Sequence, residues 1–70
     1  MKGNYFGITL RMLRQEKNIS QRKLGEMLDV CNQTISFWET GSREPDFDTL
    51  VKIANIFEVS IDFMLNNKEI

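Results

Sequence analysis

The sequence predicts an all-α domain of five short helices. Apolar residues recur every three or four positions in successive stretches of the chain, which is the period of an amphipathic helix. Residues that favour helix ends, such as Ser20, Gly41 and Asp46, separate these stretches. No stretch shows the alternating pattern of a β-strand. The 70 residues therefore predict one domain over residues 1–70, with a core of about residues 5–66, near the lower size limit for folding without disulfides.

The first two helices are predicted from their apolar spacing and their end residues. The first runs over about residues 5–17, and Asn18 can end it because Asn tolerates a left-handed conformation. Ser20 is a good N-cap for a second helix over residues 21–28. The residues expected to be buried in these two helices are Phe6, Leu10, Leu13, Leu24, Met27 and Leu28.

The second and third helices are predicted to form a helix-turn-helix unit. After a turn at residues 29–30, the third helix begins at residue 31 or 32 and ends at about residue 40, before Gly41. Gly25 is expected to allow this helix to pack closely on the second. The alternative interpretation is that Gly25 lies on the surface and has no structural role. Asp29 lies where the chain reverses, and Asp is one of few residues that accept positive φ. Such a unit offers one helix to the major groove of DNA.

Two further helices complete the predicted fold. Pro45 favours a loop before it, Asp46 caps a fourth helix over residues 47–57, and Ser60 caps a fifth over residues 61–65. Five helices with short connections can bury one core and no large pocket. The residues expected to face the core from the third and fourth helices are Ile35, Trp38, Leu50, Ile53, Ala54 and Phe57, with Glu39 partly inside.

The composition argues against catalysis, metal binding and membrane insertion. The chain has no histidine, which removes the commonest general base and metal ligand. Its single cysteine, Cys31, cannot form an intramolecular disulfide or a zinc cluster, and this fits a cytoplasmic protein. No apolar run approaches the roughly 18 residues of a membrane span. We expect no enzyme activity, no cofactor, no metal and no membrane partner.

The charges are unevenly distributed along the chain. The net charge is −1, yet residues 1–23 hold six basic side chains and one acidic one, whereas residues 24–70 hold three basic and nine acidic. Such a chain can present one basic face to a nucleic acid. On charge alone, ordinary solvated helix faces explain the pattern equally well. The basic residues of the first segment are Lys2, Arg11, Arg14, Lys17, Arg22 and Lys23.

The first half of the third helix is polar and suited to reading DNA. Asn32 and Gln33 carry amides, and such side chains can form bidentate hydrogen bonds with adenine. Phe37, four positions after Gln33, either contacts a thymine methyl group or packs sideways on the first helix or a neighbouring loop. Near the end of the helix, Glu39 requires a basic partner if it is buried, and Arg14 is within reach. Two independent surface charges are the alternative.

Several segments together resemble the Cro/XRE helix-turn-helix family, which includes phage repressors and Cro proteins. The segments are LRQEKNISQRKLGEML, VCNQTISFWETG, the pattern P-x-F-x-x-L-x-x-I-A and VSIDFML, and the resemblance covers about residues 8–66. It implies a compact five-helix, lambda-repressor-like DNA-binding domain. It also implies a sequence-specific transcriptional regulator, most often a repressor, that binds double-stranded DNA as a homodimer at a pseudo-palindromic operator.

The resemblance also implies roles for individual residues. Arg14 and Glu39 match an internal salt bridge of the family, whereas Gly25, Asp29 and Cys31 stand where the family usually has Ala, Gly and a capping Ser or Thr. The residues expected to read bases are Asn32, Gln33, Ser36 and Phe37. The residues expected to contact the DNA backbone are Gln21, Arg22, Lys23, Thr34 and Arg43.

Dimerisation and the rival function depend on other surfaces. The residues expected at a dimer interface are Phe47, Ile61, Phe63 and Met64, although they can instead seal the bottom of the core. The same fold can also serve as an antitoxin or a protein-interaction module. In that case the acidic segment, residues 24–70, would be the docking surface.

Overall fold

The computed structural model describes residues 5–66, which form five α-helices and, within that range, no strand. The predicted all-α architecture is confirmed, while the two ends of the predicted domain, Lys2 included, lie outside the described residues. The first helix ends one residue earlier and the last one residue later than predicted. The helices are α1 (Tyr5–Glu16), α2 (Gln21–Leu28), α3 (Asn32–Thr40), α4 (Phe47–Phe57) and α5 (Ile61–Asn66).

All five helices contribute to one apolar core. Trp38 of α3 meets Phe6 of α1 edge to face, with ring centroids 6.5 Å apart. The core residues are Phe6, Leu10, Leu13, Leu24, Leu28, Ile35, Trp38, Leu50, Ile53, Ala54, Phe57 and Met64. This set contains every predicted core residue except Met27.

Met27 is exposed, so its predicted burial is wrong. Its side chain is 44% exposed, whereas Leu24 and Leu28 of the same helix are buried. Successive residues of a helix are about 100° apart. The buried face of α2 includes Gly25, which α3 approaches, and this rotation turns Met27 towards solvent.

The approach of α3 to α2 requires a residue without a side chain at position 25. A Cβ atom added to Gly25 would lie 2.6 Å from the carbonyl oxygen of Val30 and 3.4 Å from the amide nitrogen of Asn32. Both atoms belong to the backbone, so neither can rotate away. The predicted close contact between the two helices is therefore present, and Gly25 is not an indifferent surface residue.

Residues in the left-handed backbone conformation end the helices and turn the chain. Asn18 (φ 61°), Asp29 (φ 62°) and Gly41 (φ 87°) adopt this conformation, as their residue types predict. Glu58 also adopts it, with φ 57°, and nothing in its side chain indicated this. Its backbone N–H closes the end of α4 on the carbonyl of Asn55, 3.2 Å away.

The predicted N-caps, Ser20, Asp46 and Ser60, all form. Cys31 precedes α3 but makes no capping hydrogen bond, because a thiol is a weak acceptor. Side-chain caps satisfy backbone N–H groups that a helix leaves without partners in its first turn. Within residues 5–66, the side-chain caps are Ser20 on Lys23 (2.9 Å), Asp46 on Thr49 (3.1 Å) and Ser60 on Phe63 (3.0 Å).

Met64 belongs to the core rather than to a dimer surface. It has no exposed surface, so the expectation that it contacts a second copy is wrong. The short α5 must cover the end of the core, and Met64 is the residue that it points inwards. Ile61 and Phe63 are partly buried against the core, while Phe47 at the start of α4 is 68% exposed.

Candidate nucleic-acid interface

The third helix has a buried face and a polar outer face. Ile35 and Trp38 are buried at helical spacing and fix α3 to the core. On the opposite side, Asn32 and Gln33 are exposed and Ser36 is half-buried. These three side chains lie within one arc of the helix surface, because positions 32, 33 and 36 are neighbours on a helix. Three of the predicted base-reading residues thus lie on the outer side of α3, and the fourth, Phe37, is half-buried like Ser36 and follows Gln33 by one turn.

The carboxylate of Glu39 joins three helices. The Nε of Arg14 lies 2.7 Å from its Oε2, and the Nη2 of Arg14 donates to its Oε1 at 3.2 Å. Gln21, the first residue of α2, donates its side-chain N–H to the same Oε1 at 3.1 Å. Arg14 also donates to the carbonyl of Ile19, 2.9 Å away. The predicted ion pair between Arg14 and Glu39 is therefore present, and it holds α1, α2 and the inner side of α3 together.

This ion pair is largely shielded from water. The Arg14 side chain is 13% exposed and that of Glu39 is 5% exposed. A bidentate guanidinium–carboxylate pair supplies charge-assisted hydrogen bonds in a fixed geometry. Because Glu39 carries this pair at the end of α3, the polar outer face of the helix is held at a fixed angle to α1 and α2.

The basic residues of α2 lie on its outer surface. Arg22 and Lys23 are both exposed. The Nε of Arg22 lies 3.8 Å from a carboxylate oxygen of Glu26, one turn later, and both side chains are mostly in water. Such an exposed pair is weak. The positive charge of Arg22 thus stays available to an anionic partner.

The loop after α3 is attached to Phe37. The carbonyl oxygen of Phe37 accepts hydrogen bonds from the backbone N–H groups of Ser42 (2.9 Å) and Arg43 (3.3 Å), and from the Thr40 hydroxyl (3.2 Å). The guanidinium carbon of Arg43 lies over the aromatic ring of Phe37, 5.3 Å from its centroid. Of the two alternatives for Phe37, this geometry matches packing on a neighbouring loop.

The pairing of Phe37 with Arg43 was missed at the level of sequence. The two residues are six positions apart, and their distance depends on the path of the loop after Gly41. An aromatic residue in the last turns of a helix and an arginine just after its glycine C-cap were the only available signals.

The thiol of Cys31 lies beside Thr34 at the start of α3. Its Sγ is 3.3 Å from the Thr34 hydroxyl oxygen. The hydrogen bond with this hydroxyl is the main cause that lowers the pKa of Cys31 below its ordinary value of 9.0. Thr34, a predicted backbone contact, is half-buried and is engaged by this thiol.

Other classes of site have no support in the described part of the chain. Residues 5–66 contain no group of three or more His, Cys, Asp or Glu side chains that could hold a metal ion. Within the same range, no helix is long and apolar enough to cross a membrane.

Comparison with known proteins identifies related chains. A family model described as helix-turn-helix matches residues 10–64, which is more than half of the chain. Uncharacterized HTH-type transcriptional regulator YqaE of Bacillus subtilis (strain 168) is 35% identical over 63 residues, covering 90% of this chain and 54% of that protein. HTH-type transcriptional regulator ImmR of the same organism is 36% identical over 64 residues, covering 91% and 50%. The chain thus spans about half the length of these curated relatives, which are named as regulators and not as enzymes.

One solved structure shares almost the whole fold. It is the crystal structure of the P22 c2 repressor protein in complex with synthetic operator 9T in the presence of Tl+. The TM-score is 0.85 at 32% sequence identity, and the match covers 90% of this chain and 96% of that one. The c2 repressor comes from Salmonella phage P22. This similarity confirms the lambda-repressor-like arrangement of the five helices.

Proposed function

The chain belongs to the helix-turn-helix family, and we propose that it is a sequence-specific DNA-binding transcriptional regulator. The observation that carries this proposal is the exposed polar face of α3, fixed at its other side by the buried Glu39 carboxylate. A rigid helix with free amide side chains suits the major groove, which displays a distinct pattern of donors and acceptors for each base pair. Similarity to a repressor solved on a synthetic operator supports repression as the direction of control.

Base recognition is assigned to the outer face of α3. Asn32 and Gln33 each carry an amide able to pair with the edge of adenine, and Ser36 carries a hydroxyl that can act as donor or acceptor. Exposure of the two amides supports this assignment. Phe37, whose ring lies under Arg43, has less surface to offer a base than an outward-pointing aromatic residue would.

Contacts with the DNA backbone are assigned to residues around this helix. Arg22 and Lys23 are exposed cations on α2, and Arg43 is an exposed cation on the loop after α3. Gln21 has two amide N–H groups, of which one donates to Glu39 and the other can reach a phosphate. Thr34 can contribute its hydroxyl. Three cations neutralise few phosphates, so we expect modest affinity for non-specific DNA.

We further propose that the regulator binds as a homodimer on a pseudo-palindromic operator. Phe47 is the most exposed large apolar residue in the described part of the chain, and Ile61 and Phe63 are only partly covered by the core. Pairing these residues across a two-fold axis would remove apolar surface from water. Binding to the genome also accords with action in the cytoplasm, which we include in the proposal.

The variant Gln33→Ala tests the assignment of base recognition. We expect specific affinity to fall by about 1–3 kcal/mol and preference at one base pair to relax. Affinity is measured by titrating both proteins with DNA that the wild-type chain selects from a random pool. Base preference is measured by repeating the selection with the variant. Asn55→Ala is the control, because Asn55 is an exposed amide on α4.

This titration, together with the retardation of genomic DNA fragments by the wild-type chain, separates the rival functions. If Gln33→Ala leaves both affinity and base preference unchanged, α3 does not read bases as proposed. If the wild-type chain retards no genomic fragment in a sequence-specific manner, DNA binding itself is excluded. An antitoxin or protein-interaction module, with the acidic segment as docking surface, would then be the better assignment.

The variant Phe47→Asp tests the proposed dimer. A charge at this exposed position should weaken self-association and lower operator affinity without unfolding the domain, because Phe47 is outside the core. Sedimentation and DNA titration measure the two effects. Ile8→Asp is the control, since Ile8 is similarly exposed, at 55%, but lies on α1. A wild-type sedimentation profile together with wild-type operator affinity would contradict the proposal.

A further inference from the structure

Two kinds of contact bind Arg43 to Phe37. The backbone N–H of Arg43 donates to the Phe37 carbonyl at 3.3 Å, and its guanidinium lies over the Phe37 ring at 5.3 Å. Ser42 donates to the same carbonyl. Phe37 of α3 thus holds both the loop backbone and the arginine side chain.

A cation over an aromatic ring is held by the negative face of the ring. A distance of 5.3 Å to the centroid is within the roughly 6 Å over which this attraction operates. Arginine otherwise has a long side chain with many rotamers, and their loss on binding opposes affinity. An arginine held by a ring before it meets its partner loses fewer rotamers on binding.

The contact leaves the hydrogen-bonding capacity of Arg43 intact. The attraction of a cation to a ring uses no oxygen or nitrogen acceptor, so the N–H donors of the Arg43 guanidinium keep their capacity to bind an anion. A phosphate accepts such donors in pairs. Arg43 can therefore remain over Phe37 while it donates to a phosphate beside α3.

We propose that Phe37 is a positioning residue that presents Arg43 to the DNA backbone, rather than a residue that reads a base. This inference rests on the proposed function, because it deepens the role of the same surface. Phe37 then contributes to affinity for any sequence and not to the choice of sequence. Its ring does so only through Arg43.

A double-mutant cycle on DNA tests this role. The proteins are the wild type, Phe37→Leu, Arg43→Gln and the double variant, and the probe is a duplex of about 30 base pairs, or three helical turns, selected by the wild type from a random pool. Affinity is measured at several salt concentrations, and base preference is measured by repeated selection. Thermal unfolding of each protein shows that it is folded, and Phe37→Met replaces Phe37→Leu if the leucine variant is not.

The expected results follow from the position of Arg43 between Phe37 and the phosphate. Phe37→Leu should weaken binding about two- to fivefold, with base preference unchanged. Arg43→Gln should reduce the slope of log affinity against log salt by about 0.9 for each bound chain. The double variant should bind as Arg43→Gln does, and Phe37→Tyr, which keeps the ring, should bind as the wild type does.

Other outcomes overturn the inference in distinguishable ways. An equal effect of Phe37→Leu with and without Arg43 would show that the ring acts independently, and a changed base preference would show that it reads a base. If the slope of log affinity against log salt were the same in Arg43→Gln as in the wild type, Arg43 would not contact a phosphate, although the chain would still bind DNA. Failure of the wild type to select any sequence would instead overturn the proposed function.

Discussion

Single residues determine how α2 and α3 meet. The helices approach so closely that a Cβ atom at position 25 would lie 2.6 Å from a backbone oxygen. The turn between them depends on Asp29, which adopts φ 62°. Both features were predictable, because glycine in mid-helix is unfavourable without a structural reason and aspartate is one of few residues that accept positive φ at a chain reversal. Glu58, with the same left-handed conformation, was not predictable, because glutamate has no particular tendency towards positive φ.

The variant Gly25→Ala should destabilise the domain by about 1–2 kcal/mol. Overpacking against the Val30 carbonyl outweighs the gain in helix propensity, which is about 1 kcal/mol. In thermal unfolding followed by circular dichroism, this corresponds to a fall in Tm of at least about 4 °C. Glu26→Ala, at the next and exposed position, is the control and should be nearly neutral. An increase in the Tm of Gly25→Ala would refute the close approach.

At the scale of the helices, capping side chains fix where α2, α4 and α5 begin. Ser20, Asp46 and Ser60 each accept a backbone N–H of the first turn, and their residue types made these helix starts predictable. Cys31 caps nothing, so the start of α3 depends on the turn before it. The rotation of α2 that exposes Met27 was not predictable, because an eight-residue helix offers too few apolar positions to define its buried face.

The cap of α4 should make stability depend on pH. The hydrogen bond from Thr49 favours the charged form of Asp46 and holds its pKa below the ordinary value of 3.8. The folded state therefore binds this proton less readily than the unfolded state does. The stabilisation is complete above the ordinary pKa and is lost as the pH falls through the lower pKa of the folded state.

Asp46→Asn removes this titration while keeping an oxygen acceptor. The difference in the free energy of unfolding between wild type and variant should change between about pH 5 and pH 2, with the wild type losing more stability in acid. Urea unfolding at each pH measures it. Ser20→Ala is the control, because that cap does not ionise and its loss of about 0.5–2 kcal/mol should be the same at every pH. A constant difference for Asp46→Asn would disprove the role of the carboxylate.

At the scale of the whole molecule, the buried carboxylate of Glu39 is a polar connection that joins three helices. The sequence allowed its partner Arg14 to be predicted, since an inward-facing acid near the end of α3 requires a base. The second partner, Gln21, and the contact between Phe37 and Arg43 depend on distances across turns, which residue spacing does not give. The same limit applies to Met64, whose residue type suits a core and an interface equally well.

Replacing Arg14 with methionine should cost about 3–5 kcal/mol of stability. The variant leaves the Glu39 carboxylate, only 5% exposed, without its cation. Such a loss is a large part of the stability of an ordinary domain. Urea unfolding measures it, and Arg22→Met is the matched control, because Arg22 pairs with Glu26 in water and should contribute less than about 1 kcal/mol. Equal effects of the two variants would contradict the structural role of the buried pair.

The attachment of three helices to one carboxylate also has a kinetic consequence. A surface that is assembled before encounter loses little conformational entropy when it docks. Association then requires no slow rearrangement, so its rate is governed by diffusion, orientation and the attraction between charges. Differences in affinity among ligands of this chain should accordingly appear in how long each complex lasts rather than in how fast it forms.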